Sequence, residues 1–223
     1  MKLSRPFYSR PTLDVARDLI GKVLVHRSAE GTTAGAIVEV EAYIGESDPA
    51  CHAAPGPTAR NRPLYGPPGF AYVYLNYGIH NLFNVVTEPD GQPAAVLVRA
   101  LMPLDGIELM RRRRAPDRRG GAVIPEHELC RGPGSLARAM GITLADNRAD
   151  LCGRRLYLED RGTDYPAVVW GPRLGISAGV EHPWRCVAAG CPAVSGKTRT
   201  SATRRAGHPG AATYPGRRRS GRT

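Results

Sequence analysis

Apolar and polar positions alternate with period two over most of the ordered-looking parts of this chain. Helical spacing appears in only a few short stretches. The clearest alternation is Ala36–Ile44, A-I-V-E-V-E-A-Y-I. Successive side chains of a strand point to opposite faces. One face should therefore carry Val38, Val40, Ala42 and Ile44, and the other Ile37, Glu39, Glu41 and Tyr43. Two acids and a tyrosine on one face of an otherwise apolar strand suggest a site where something is bound and a proton is moved. The bland reading is the polar outer face of an edge strand, and taken alone the strand favours it.

The second strong pattern is Phe70–Thr87. Phe70, Tyr72, Tyr74 and Asn76 alternate with Ala71, Val73 and Leu75, so one face is aromatic and the other aliphatic. Asn76-Tyr77-Gly78 breaks the pattern with hairpin-turn chemistry. The pattern then resumes through Ile79, His80, Leu82, Asn84 and Val86. A tyrosine at a hairpin tip is costly to leave in water unused. Proteins that open duplex DNA insert such a side chain between bases, and a face of tyrosines can hold a planar base. The alternative is an aromatic-rich hairpin buried against the core.

The remaining pattern predicts a helix over Leu13–Ile20, with Thr12 as its cap and Gly21 as its stop. Strands are expected at Lys22–His26, Gly35–Ile44, Ala94–Leu101, Leu156–Glu159, Ala167–Trp170 and Arg185–Ala188. Further helices are expected at Leu104–Arg114 and from Ser135 to Met140. Ser47–Pro68 is rich in Pro, Gly and Ala and reads as a long, functional loop. Arg114–Glu126 reads as a basic loop, and Arg111–Arg114 as a solvated helix end.

Composition narrows the class. The chain has 223 residues, 42% hydrophobic and 23% charged, enough for one domain with a real core. No apolar run approaches the ~20 residues of a membrane span. The start M-K-L-S-R-P-F-Y lacks the apolar region of a secretory signal. The expectation is a cytoplasmic protein (nuclear in a eukaryote), not a secreted one. Cys51, Cys130, Cys152, Cys186 and Cys191 are odd in number and form no C-x-x-C pair. That argues against a disulfide framework and a structural zinc site. The formal net charge is +11, and eight of the cations lie after Ser195 with no acid among them, which leaves +3 for residues 1–195. The only clear compositional boundary therefore falls near residue 196. Residues 1–195 are expected to form one domain and 196–223 a basic, disordered tail suited to a polyanion.

Other residues carry weaker signals. Arg99 interrupts the apolar run A-A-V-L-V-R-A-L and should be paired or face a ligand, because an unpaired buried charge is expensive. A salt bridge to a strand carboxylate satisfies the same need. His52 stands alone in the long loop, where histidines are mostly inert. Arg60, Asn61 and Arg62 could meet phosphate. R-G-P-G-S could present helix N–H groups to an anion, but such loops are common. P-loop, dinucleotide-binding, nucleophile-elbow and two-histidine helix motifs are absent.

Taken in order, these segments resemble the alkyladenine (3-methyladenine) DNA glycosylase family. The matching stretches are G-A-I-V-E-V-E-A-Y-I-G, D-P-A-C-H-A, T-A-R-N-R-P-L-Y-G-P-P-G-F-A-Y-V-Y-L-N-Y-G-I-H, F-N-V-V-T, V-L-V-R-A-L-M-P-L-D-G, E-L-C-R-G-P-G-S-L-A-R-A-M-G-I and G-P-R-L-G-I, spread over residues 6–195. The resemblance implies a mixed α/β (α+β) single domain around a curved antiparallel β-sheet, with a protruding DNA-inserting β-hairpin. It implies a monofunctional glycosylase, monomeric and free of metal and cofactor, acting on double-stranded DNA that contains damaged purines. By this resemblance Glu41 is the acid that activates water, and Arg99 helps position that water. Tyr43 and Tyr74 stack on the flipped base, with His52 opposite them. Asn84 discriminates against the exocyclic amino group of guanine, and Tyr77 fills the space the nucleotide vacates. Within the pair of acids, residue pattern alone does not separate Glu39 from Glu41; the E-A-Y match selects Glu41. The reading from another class is a non-catalytic nucleic-acid-binding module that uses the tyrosine hairpin and the basic tail. A formyltransferase-like substrate-binding or tRNA-binding domain is a third.

Overall fold

A computed structural model describes residues 1–117, 123–163, 165 and 167–196. The basic stretch 197–223 and residues 118–122 of the basic loop lie outside the described residues. Eight strands form one curved antiparallel sheet: β1 (Val23–Ser28), β2 (Gly31–Ile44), β3 (Ala71–Asn76), β4 (His80–Val86), β5 (Ala94–Asp105), β6 (Leu156–Glu159), β7 (Val168–Gly171) and β8 (Arg185–Ala188). The main path runs β3-β4-β5-β2-β1-β6, and β8 adds to β2 and carries β7 on its far side. The helices are α1 (Arg5–Tyr8), α2 (Thr12–Leu19), α3 (Ile107–Arg114) and α4 (Pro133–Met140).

Strand β2 organises the sheet. One of its edges pairs with β5 along almost its whole length. Its other edge pairs with β1 up to Ala36 and with β8 from Glu39. The change of partner coincides with register shifts on either side of Glu39. Such a bulge breaks period-two alternation. This corrects the simple two-face reading. Ile37, expected beside the glutamates, packs in the main core with Val40, Ala42 and Ile44. Val38, expected in that core, packs instead with Ala100, Val187, Ala188 and Val194.

The main core lies between one face of the sheet and the helices. Ala71, Val73, Phe83, Val85, Val96 and Val98 from the strands meet Leu13, Val15, Ala16 and Leu19 of α2 and Leu136, Ala137 and Met140 of α4. The aliphatic face expected for the 70–76 strand is the one packed here, which leaves Tyr72 and Tyr74 on the opposite face.

Several local boundaries differ from expectation for identifiable reasons. Thr12 does not cap α2. It is the first helical residue, and its N–H and hydroxyl both donate to Glu88 Oε1 at 2.7 and 2.8 Å. A carboxylate from a distant loop thus supplies the cap. Gly21 follows the helix at φ 88°, as a terminator should. Strand β5 runs on through Leu104 and Asp105, and α3 starts only after Gly106, which turns the chain at φ 73°. The end of α3 is solvated only in part, with Arg112 exposed. Arg114 is buried and donates to the Leu129 carbonyl, and Arg113 bonds Glu30 and the Ala139 carbonyl.

Candidate active site

The sheet face away from the main core carries the site. Antiparallel register places Tyr72 opposite Asn84, Asn84 opposite Leu97, and Leu97 opposite Glu41. Residues directly opposite in antiparallel strands share a face. One row therefore crosses β3, β4, β5 and β2. Tyr74 and Tyr43 lie two residues along from Tyr72 and Glu41, on the same face.

Above this face is a cavity of about 490 Å³. Six of the seven residues singled out from the sequence line it: Tyr43, His52, Tyr74, Tyr77, Asn84 and Arg99. The seventh, Glu41, has no exposed surface and stands behind the wall. Its Oε2 accepts from the Tyr43 hydroxyl at 2.9 Å and from Arg99 Nη1 at 3.1 Å, and its Oε1 accepts from the Leu174 N–H at 2.7 Å. Tyr43, Arg99 and Leu174 all line the cavity. A carboxylate offers about four lone-pair positions, so these three bonds leave acceptor capacity on Oε1. Burial pushes the Glu41 carboxyl above the ordinary carboxylate range, opposed by the Arg99 charge, the Leu174 N–H and the Tyr43 hydroxyl.

Glu39 is occupied differently. It is also fully buried, and it accepts from Arg99 Nε (3.1 Å), Arg185 Nε (2.7 Å), the Ser195 N–H (2.6 Å) and the Ser195 hydroxyl (3.0 Å). Three of those donors meet Oε1 and one meets Oε2, and Arg185 and Ser195 do not line the cavity. Arg99 bridges the two acids, so the salt bridge anticipated for it is made twice over. Burial opposes the charge on Arg99, but Glu41 and Glu39 hold its pKa above the ordinary value.

The aromatic wall comes from β3 and from the loop after β2. Tyr72 and Tyr74 lie 5.3 Å apart between ring centroids, and His52 meets Tyr74 edge-on at 4.5 Å. His52 Nδ1 and the Tyr72 hydroxyl are 2.9 Å apart. Burial, aided by the Arg60 charge, lowers the His52 pKa, which favours the neutral ring. Burial pushes the Tyr72 and Tyr74 hydroxyls up to about 12. Asn84 is buried, and its Nδ2 donates to the Tyr72 carbonyl at 3.1 Å. That bond leaves the side-chain oxygen of Asn84 as an acceptor.

The β3–β4 hairpin ends in the expected turn. The Ile79 N–H donates to the Asn76 carbonyl at 3.0 Å. Both central residues are at positive φ, Tyr77 at 49° and Gly78 at 69°. That is the requirement of a type I′ turn, whose twist matches the flanking strands. The tip is apolar and bare, with Tyr77 85% and Ile79 68% exposed. Arg60 is exposed beside this wall, its guanidinium 5.7 Å from the Tyr74 ring.

Sequence reasoning missed several residues at the site. Leu174 contributes a backbone N–H, which no side-chain pattern could reveal. Ser195 and Arg185 close over Glu39 from the end of the domain. Arg173 and Asp48 form a fully buried ion pair behind Tyr43. A charged residue inside G-P-R-L-G-I was the available signal for Arg173.

Comparison with known proteins places this geometry in a family. Residues 6–192 match the model of the methylpurine-DNA glycosylase family. A protein of Methanocella arvoryzae is 51% identical over 197 residues, covering 86% of this chain and 95% of its own length. One from Chlorobium phaeobacteroides is 44% identical over 198 residues, covering 88% and 96%. One from Rubrobacter xylanophilus is 49% identical over 174 residues, covering 78% and 86%. All three carry the provisional name 3-methyladenine DNA glycosylase. The family match spans both the buried Glu41–Arg99 cluster and the tyrosine hairpin, and this chain belongs to the methylpurine-DNA glycosylase family.

Proposed function

We propose that this protein excises alkylated purines, 3-methyladenine and 7-methylguanine above all, from double-stranded DNA by hydrolysing the bond between base and deoxyribose. The observation that carries this reading is Glu41. It is a buried carboxylate with spare acceptor capacity, held by three groups that line a cavity floored with tyrosines. A protein that only bound nucleic acid would gain nothing from burying two carboxylates beside a polyanion.

The chemistry follows from the placement. A purine swung out of the duplex enters the cavity and lies against Tyr43 and Tyr74. Electron-rich ring faces favour a cationic alkylpurine. Glu41 is closed off in the free protein, so entry of the nucleotide must part the wall and admit a water to the free position of Oε1; that water loses its proton to the carboxylate as it attacks the anomeric carbon. The transition state resembles an oxocarbenium ion, and the Glu41 charge stabilises it at short range in a dry site. Arg99 holds the carboxylate oriented and ionised. Asn84, fixed by its bond to the Tyr72 carbonyl, crowds the exocyclic amino group of a guanine, and an unmodified guanine has no alkyl-weakened glycosidic bond to offset that. Tyr77, exposed at the tip, enters the stack where the nucleotide was.

An alkylated purine is already cationic and leaves without a protein acid. Hypoxanthine and ethenoadenine are neutral and need a proton. His52 lines the cavity, but burial and the Arg60 charge lower its pKa and disfavour its protonated form. Neutral lesions are therefore poor substrates in this reading.

The test is base release from a panel of lesion-containing duplexes by the intact protein and by Glu41→Gln. Release of 3-methyladenine should fall by about 10²–10⁴-fold in the variant. Binding to a duplex holding an abasic-site analogue should persist. A Glu41→Gln protein that releases the base at the normal rate would remove Glu41 from the mechanism. An intact protein that binds the duplexes and releases nothing would leave the binding-module reading standing.

A further inference from the structure

Arg173 and Asp48 are joined by two parallel hydrogen bonds, Nη1 to Oδ2 at 2.6 Å and Nη2 to Oδ1 at 2.8 Å, and both side chains are completely buried. Burying an ion pair gains little stability over apolar side chains of the same volume. The pair's contacts show what it does instead. Arg173 Nη1 also donates to the Ala42 carbonyl at 3.0 Å, on β2 between Glu41 and Tyr43. Nη2 also donates to the Gly179 carbonyl at 3.2 Å. The guanidinium lies 4.7 Å from the Tyr43 ring and 5.1 Å from the Trp184 ring. Asp48 in turn accepts from the Ile44 and Ala50 N–H groups, which fixes the start of the loop that carries His52. The next residue, Leu174, donates its N–H to Glu41. Gly179 leaves room for this: a Cβ there would lie 2.8 Å from Arg173 Nη2 and 3.2 Å from Asp48 Oδ1.

We infer that the Arg173–Asp48 pair is the positioning device of the active site. It locks three walls of the cavity together: the Glu41–Tyr43 end of β2, the His52 loop and the segment bearing Leu174. The inference rests on the proposed base-excision activity. Arg173 touches neither water nor base. It acts through Tyr43, whose ring it backs and whose hydroxyl holds Glu41, and through Leu174, whose N–H holds the other oxygen. A planar fork is needed for this, because four acceptors lie around one guanidinium; a lysine offers a point charge and cannot meet them all. The pair is neutral as a unit, so it backs Tyr43 without placing an uncompensated cation against an alkylated base.

The decisive variant is the double change Arg173→Met with Asp48→Asn. It leaves no charge buried alone, and the single oxygen of the asparagine can still accept from one of the two N–H groups, Ile44 or Ala50, that meet separate oxygens of Asp48. Arg173→Lys is the second variant, charged but unforked. Both are measured beside the unaltered protein for thermal unfolding, affinity for an abasic-analogue duplex, and kcat and KM for 3-methyladenine release across pH. The double variant should unfold cooperatively and bind the duplex within about threefold of normal. Its kcat should fall about 10²-fold, the scale of a small misplacement of catalytic groups. Its acid limb should move to higher pH, because Glu41 loses the Leu174 N–H. Arg173→Lys should recover only part of the lost kcat. A folded double variant with normal kcat, or with a loss in KM alone and an unmoved acid limb, would overturn the inference, as would full recovery by lysine. If the double variant does not fold, Arg173→Lys decides the matter by the same readings. An unaltered protein that releases no base would instead refute the proposed function.

Discussion

In the proposed reaction most of the chemistry turns on Glu41, and burial governs its behaviour. Desolvation raises its pKa, while Arg99, Leu174 and Tyr43 oppose the rise. A general base works ionised, so activity is present above the folded-state pKa and lost as pH falls through it. The acid limb of kcat for 3-methyladenine release should therefore lie above the ~4.3 of a free glutamate. Arg99→Met removes the largest charge holding Glu41 ionised and should move that limb to still higher pH. A limb at or below ~4.3 in the unaltered protein would exclude Glu41 as the titrating base. The strand face that raised the question in the sequence brings Glu39, Glu41 and Tyr43 into one hydrogen-bonded cluster with Arg99. It could not separate the two acids. Their partners differ: the three donors to Glu41 all line the cavity, whereas Glu39 is held chiefly by Arg185 and Ser195, which do not.

At the scale of elements, the β3–β4 hairpin and the Gly106 turn make separate demands. The hairpin was legible because Asn-Tyr-Gly is turn chemistry between two alternating runs. Its tip holds Tyr77 in water, 85% exposed, for no benefit to folding. Tyr77→Ala should leave thermal stability within about 0.5 kcal/mol of normal, as for exposed substitutions. It should also slow release from a fully paired duplex by roughly tenfold, because flipping an intact base pair costs a few kcal/mol. Release from a lesion already unpaired should slow less, and equal slowing on both substrates would count against a wedge. Gly106 is different. At φ 73° a Cβ would collide with the Thr32 carbonyl, so Gly106→Ala should cost about 2 kcal/mol in chemical denaturation. Residue pattern placed the helix start three residues early, since Leu104 and Asp105 suit either state, and pairing of β5 with β2 decided for strand.

Across the whole molecule, charge is divided unevenly. Residues 1–195 carry +3 of the +11, and the rest follows Ser195. The described chain ends against the site, where the Ser195 N–H and hydroxyl bind Glu39 and the basic stretch begins directly after. Deleting residues 196–223 should weaken non-specific DNA binding and flatten its dependence on salt, since each phosphate contact contributes about −0.9 to the slope. Turnover on a saturating oligonucleotide should survive, because Ser195 is retained. An unchanged salt slope would exclude the stretch as a DNA contact.

The sequence by itself determined the strands with strong alternation, the hairpin and its tip, the ordered motifs of the family, and which side chains to watch. These are local properties: period-two patterning, turn chemistry and charge are written residue by residue. Tertiary structure decided the rest. The bulge at Glu39 falls where β2 exchanges β1 for β8, and only the sheet contains that exchange. The cap on α2 is Glu88, 76 residues away. Leu174 and Arg173 reach Glu41 and the backbone beside Tyr43 from more than 100 residues along the chain. Backbone donors and long-range ion pairs leave no periodic mark in a sequence, because their partners are chosen by the path of the whole chain.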